Sequence, residues 1–206
     1  MKILFVADIY ARPGRRVAAE MIPRLIRERE VDFCIANGEN GAGGFGLTEN
    51  IARKLHSYGV DVITSGNHIW NRADFTPYLN RDNRVLRPLN YPPEAPGSGS
   101  AIAPSRTGTP VAVINLQGRT FMPSIDCPFK AGSAEVDRLK RETPVVFVDF
   151  HAEAGALGDD EMTGFVADAL LHNLLVIDDG AGRIAGEVNV WEGRGEVGAA
   201  CRADRH

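Results

Sequence analysis

The chain has 206 residues, 44% of them hydrophobic and 24% charged, enough for one domain with a sizeable core and unlike disordered or fibrous classes. Its formal net charge of -4 supplies no global basic field, which excludes bulk binding of duplex nucleic acid and leaves only a local patch open. No apolar run reaches bilayer-spanning length, the apolar part of MKILFVADIY is too short for a signal-peptide core, and Cys34, Cys127 and Cys201 lack CxxC spacing, so a cytoplasmic chain with reduced, structural thiols is expected.

Lys2 to Ala7 is a run of strand formers that ends at Asp8, and the spacing of Val17, Met21, Leu25 and Ile26 predicts a helix over 15–30. Phe33 to Ala36 reads as a buried strand, 48–58 as a helix opened by Thr48, and Val60 to Ser65 as a further strand. His56, on that second helix, is expected at the surface. Over 83–105, prolines at 88, 92, 93, 96 and 104 with Gly97 and Gly99 rule out regular helix and leave a long loop or crossover. Pro110 to Leu116 restores a strand, 119–127 is irregular, 133–142 is helical, and Pro144 to Phe150 is a β-branched strand ending at His151.

Beyond His151 the stretch 154–160 is small and acidic, with no βα unit of recognisable length before the next apolar run. Residues 169–177 and 183–191 then read as a terminal β-hairpin around the turn at 178–182. Strands alternating with amphipathic helices predict an α/β sheet, with 1–192 as one domain and 193–206 as a flexible tail.

Four strand ends deliver polar residues to loops: Asp8 in FVADIY, Glu39 and Asn40 in IANGENGAGG, Asn67 and His68 in ITSGNHIW, and His151 in VDFHAE. In an open α/β sheet the loops at the carboxyl ends of parallel strands gather at one crevice, so these groups can meet there. Oxygen donors mixed with imidazole suit manganese, iron or zinc. Each piece alone has a plainer reading. An Asp after a strand caps a loop, the glycines of GENGAGGFG make a tight turn, and Asn67-His68 is turn chemistry. Four coincidences at strand ends favour a shared site.

The motifs D8-I, N37-G-E-N-G-A-G-G-F-G46, G66-N-H68, R87-P-L-N-Y-P92, N115-L-x-G-R-x-F-M-P123, D126-C-P-F129 and V148-D-F-H-A-E153 resemble the YmdB-type branch of the calcineurin-like metallophosphoesterases over residues 1 to 153. The resemblance implies a layered α/β/α sandwich with mixed sheets and two divalent metal ions, iron or manganese. Asp8 and Asn40 would lie on one ion, Asn67 and His151 on the other, with Glu39 bridging and His68 as proton donor. It also implies hydrolysis of small phosphodiesters, characteristically 2′,3′-cyclic nucleotides.

Members of that family continue past the HAE motif with a helix, a strand and a Gly-Thr-His-x-His loop whose histidines complete both metal spheres. No His-x-His occurs here, which is read as an internal shortening of about a βα unit, a dozen or more residues, near the C-terminus. Each metal is then short of an imidazole, the second site above all, so the phosphodiesterase is expected to be impaired, and a non-catalytic nucleotide- or metal-binding regulatory module stands as the alternative. His172 is read as a half-buried structural residue, His206 as terminal, and Asp159, Asp160 and Glu161 as a solvated run. Arg119, with Phe121 and Met122, forms either a substrate wall or ordinary packing, with Arg119 facing phosphate in the first case. Trp70 either stacks a base or belongs to the core. A sheet lacking a strand also leaves an edge through which a homo-oligomer would form.

Overall fold

The computed structural model describes residues 1–119 and 122–152, together with the backbone of 174–178, 184–185 and 190–192. The first half is a run of βα units: β1 (Lys2–Val6), α1 (Ala11–Arg29), β2 (Phe33–Asn37), α2 (Glu49–Ser57) and β3 (Val62–Thr64). Next come two short 3-10 segments at Asn67–Asn71 and Ala73–Phe75, and the single turn α3 (Thr76–Leu79). The second half holds β4 (Ser100–Pro104), β5 (Pro110–Gln117), α4 (Pro128–Leu139), β6 (Val146–His151), β7 (Leu174–Asp178), β8 (Ile184–Ala185) and β9 (Val190–Glu192).

Helix α1 begins four residues before its sequence-predicted start, taking in Pro13 and Gly14. Pro13 falls in the first turn, where backbone N–H groups have no intrahelical partner to lose. Thr48 caps α2 as expected, its hydroxyl accepting from the Ile51 N–H at 3.4 Å. Strand β4 lies inside the stretch read as loop. It pairs antiparallel with β5 at the edge of its sheet, the place where a strand tolerates Pro104.

Two mixed sheets result. One has the order β3-β2-β1-β9, with β1 to β3 parallel and β9 antiparallel to β1; the other has the order β4-β5-β6-β7-β8, with β5 and β6 parallel. Strands β7 and β8 pair as a hairpin, but β9 leaves it to join β1 in the first sheet. The expected second arm over 183–191 is therefore divided between sheets.

Side-chain alternation along the strands decides the layers. Leu4, Cys34, Ala36 and Ile63 face α1 and α2, packing on Ala18, Ile22, Ala52 and Leu55. Ile3, Phe5, Phe33, Ile35 and Val62 face the second sheet through Val111, Val113 and Phe147, and the Phe5 and Phe147 rings meet at 5.2 Å. Ala112, Ile114, Leu116 and Val146 turn the other way, onto Leu139 of α4. The α/β/α sandwich thus has a doubled middle layer, two stacked sheets between helices.

Cys34 lies fully buried on β2, where burial pushes its thiol up to about 12, in keeping with a structural role. Among the described residues no helix is long and apolar enough to cross a membrane. The expected shortening after Glu153, the expected tail over 193–206, His172, His206, Phe121 and the acidic run at 159–161 lie outside the described residues.

Candidate metal centre

The parallel strands β1, β2 and β3 end together, and the loops beyond them are tied to one another. Ile9 N–H donates to the Asn37 carbonyl at 2.9 Å, Ala11 N–H to the Asn40 carbonyl at 2.9 Å, and Gly38 N–H to the Thr64 carbonyl at 3.0 Å. Asp8 sits in this weave with φ 36, a left-handed conformation rare outside glycine and its short polar mimics. From the second sheet, the parallel pair β5 and β6 brings His151 to the same end.

All six residues expected at the ion pocket meet there. The Asn40 amide donates to Asp8 Oδ1 at 3.0 Å and to Glu39 Oε1 at 3.4 Å, while its Oδ1 lies 2.7 Å from His68 Nδ1. The His68 N–H donates to Glu39 Oε2 at 3.3 Å. His151 Nε2 is 3.2 Å from Glu39 Oε1 and 3.2 Å from Asn67 Oδ1. Glu39, 2% exposed, is the shared member of both halves.

Three further residues build the pocket. Gly66, immediately before Asn67, leaves the room that Glu39 and His151 occupy: a Cβ there would stand 2.3 Å from His151 Cδ2 and 2.4 Å from Glu39 Oε2. Asn37 accepts from the Glu39 N–H at 3.1 Å and donates to Asp149 Oδ2 at 3.3 Å, joining the two sheets under the site. Burial, opposed in part by that amide, pushes the Asp149 carboxyl up to about 6. Sequence reasoning passed over Asp149; its i, i+2 spacing from His151 on one strand face is the signal that could have found it.

Arg119 is exposed, and no hydrogen bond or ion pair joins its guanidinium to the described site residues. Trp70 is half-buried and packs against the helical side of the core, its ring 5.2 Å from that of Tyr91, so the core reading of Trp70 holds. Phe45 stands edge-on to the His68 ring at 4.9 Å.

His56 corrects the expectation of a surface residue. Its side chain is 9% exposed, with Nδ1 2.8 Å from the Val60 carbonyl and Nε2 3.5 Å from Asp82 Oδ2, because α3 and the segment after it cover that face of α2. Burial, first among the causes, holds its pKa below the usual histidine value, Arg84 adding to the effect while Val60 and Asp82 oppose it. The folded state therefore binds fewer protons than the unfolded state just below pH ~6.5, so stability is lost as pH falls through that range. His56→Gln is expected to flatten the decline in Tm between about pH 7 and 5; an unchanged slope in thermal scans refutes this.

The donor chemistry fits a divalent cation. Ligands about one small ion with bonds of ~2.1 Å stand about 3 Å apart, which is the spacing of His151 Nε2 from Glu39 Oε1 and from Asn67 Oδ1. Among the described residues no three His, Cys, Asp or Glu side chains are grouped to hold a metal ion; the amides of Asn40 and Asn67 are the further oxygen donors beside Glu39. Asn40 now presents its amide nitrogen to the carboxylates, so its oxygen ligates only after the amide turns.

A family model described as YmdB-like protein matches residues 4–168, which takes in every residue of this pocket. The chain belongs to the YmdB-like family. It is 42% identical over 154 residues to the 2′,3′-cyclic-nucleotide 2′-phosphodiesterase of Bacillus subtilis (strain 168), covering 75% of this chain and 58% of that one. Among solved structures, a hypothetical protein from Thermus thermophilus shares 40% identity with a TM-score of 0.66, over 75% of this chain and 59% of that one. A novel phosphatase from Mycoplasma pneumoniae shares 30% identity with a TM-score of 0.66, over 75% and 56%. This YmdB-like chain thus spans less than two thirds of the length of these relatives.

Proposed function

We propose that this YmdB-like chain is a metal-dependent phosphodiesterase acting on 2′,3′-cyclic nucleotides. The observation that carries the reading is the meeting of Asp8, Glu39, Asn67 and His151 from both sheets beside His68. The name of the Bacillus subtilis relative supports the substrate class.

Asp8 and Asn40 would hold one divalent ion and Asn67 and His151 the other, with Glu39 between them; manganese or iron suits this mixture of oxygen and imidazole. When bound, such a pair lowers the pKa of water and neutralises phosphoryl oxygens. Asn40 does more than ligate. When its amide turns to ligate, Nδ2 replaces Oδ1 beside His68 Nδ1, so Nδ1 accepts and the imidazole proton sits on Nε2, free for transfer. As hydroxide attacks phosphorus and the P–O bond to ribose breaks, His68 gives its Nε2 proton to the departing ribose oxygen. Asn37 and Gly66 hold Glu39 and His151 where this requires them.

His68→Ala is expected to lower kcat on 2′,3′-cyclic AMP by about 10²–10⁴-fold while manganese content, read by elemental analysis, stays at the parent level. Turnover that survives both His68→Ala and chelation sinks the reading. The alternative, binding without turnover, rests on the missing His-x-His pair. Tight manganese or nucleotide binding by calorimetry with no hydrolysis selects it.

A further inference from the structure

The pocket opens beside two exposed aromatic rings and a basic groove that hydrolysis of a free mononucleotide does not use. Among the described residues, large apolar side chains are exposed at only four places, and Tyr10 and Phe45, each 56% exposed, are two of them. Phe45 is held outward between Gly44 and Gly46, whose φ values of 103 and 78 are left-handed. Tyr10 packs its phenol so closely on Gly44 that a Cβ there would meet the hydroxyl at 2.8 Å. The loop is braced from both sides: Arg72 donates to the Ala42 carbonyl at 3.1 Å, Ala42 N–H to the Gly46 carbonyl at 2.9 Å, and Arg15 to the Gly41 carbonyl. Two exposed rings on one braced loop, Phe45 against His68 and Tyr10 against Gly44, are a preformed stacking platform.

The groove starts where the platform ends. Between the first two turns of α1 and the face of α2 lies a cavity of about 190 Å³ lined by Arg12, Arg15, Arg16 and Lys54. Arg12, Arg16 and Lys54 are exposed, and no ion pair links any of the four to a described carboxylate. Arg24, Arg53 and Arg138 differ, each with a carboxylate at 2.8 Å or less, whereas Arg27 and Arg29, unpaired among the described residues, stand at the far end of α1 and Arg141 lies beyond α4. On α1 these cations stand within about 9 Å of Tyr10 along the axis, and Arg15 reaches the glycine loop itself.

We infer that the site takes the 3′ end of single-stranded RNA, a terminal 2′,3′-cyclic phosphate in the pocket, bases against Phe45 and Tyr10, and upstream phosphates along the groove. Aromatic faces beside a cationic track are the general means of holding single strands without reading sequence. RNA is the polymer because only ribose carries the 2′-hydroxyl that closes such a ring, a step of reasoning that rests on the phosphodiesterase reading above.

The test is fluorescence anisotropy with a 5′-labelled RNA pentamer ending in a 3′-phosphate, the product form, which does not turn over. The pentamer is expected to bind at least about tenfold more tightly than a nucleoside 3′-monophosphate at low salt, with affinity falling as salt rises. Arg12→Ala/Arg16→Ala/Lys54→Ala should erase that advantage and reduce the salt slope by about 2, at ~0.7 per single-strand phosphate contact. Phe45→Ala should weaken both ligands, and Phe45→Trp restore them. Equal affinity for pentamer and monophosphate overturns the inference. So does an equal loss in Lys130→Ala/Arg138→Ala/Arg141→Ala, which removes as much charge from the α4 side. The two readings fail separately: groove-dependent binding without hydrolysis of 2′,3′-cyclic AMP sinks the phosphodiesterase alone, and hydrolysis without preference for the pentamer sinks the groove alone.

Discussion

Gly66→Ala is expected to abolish hydrolysis and retained metal together, and to lower Tm by roughly 2–12 °C. The added methyl would stand 2.3 Å from one imidazole carbon of His151 and 2.4 Å from a Glu39 oxygen, and both groups are held in place. Glu39 is fixed through Asn37, Asn40 and His68, and His151 ends a strand of the opposite sheet. Overpacking of this kind costs about 1–3 kcal/mol, and ~2–4 °C per kcal/mol is usual at this chain size. Backbone conformation is not the obstacle, since φ at Gly66 is -145. A variant with parental activity and a His151–Glu39 contact near 3.2 Å in its crystal structure would show that the lack of a side chain here is incidental.

Glu39→Gln separates the site from the scaffold. The amide keeps the carboxylate's shape, so the Asn37 contact to the Glu39 backbone persists and the metal-free Tm is expected to stay close to that of the parent. The charge that both halves of the pocket share is lost. Changing a group that merely orients a ligand costs about 10–100-fold in metal affinity, so removal of the shared donor should exceed about 100-fold. Manganese titration calorimetry measures it. An affinity within threefold or so of the parent would mean that the ions are held by other groups, and would remove Glu39 from the role given to it.

The strand ends were the legible part of this protein. Asp8, Glu39, Asn67 and His151 each close an apolar run, and sheet geometry alone brings such positions to one rim. What the sequence hid follows from what periodicity measures. An alternating strand shows that a face is covered but not by what, so the second sheet over Phe5 and the helix over Leu4 leave the same pattern. Proline argued against β4, yet at a sheet edge the missing N–H has no partner to lose. His56 looked solvent-facing because its cover arrives from α3, some twenty residues later and without regular period. Gly66 opens the Gly-Asn-His motif, but only the structure shows that its missing side chain is the space filled by two others.

The ligand candidates are divided between sheets. Asp8, Glu39 and Asn67 follow strands of the first, His151 closes a strand of the second, and Asn37 and Asp149 clasp the seam below them. An ion seated there would act as a rivet through both plates, so that a slip of one against the other and a loss of grip on the cargo would be a single event. Pocket alignment is then a property of how the plates are stacked, set as much by the Phe5–Phe147 contact deep between them as by any group that touches the ion.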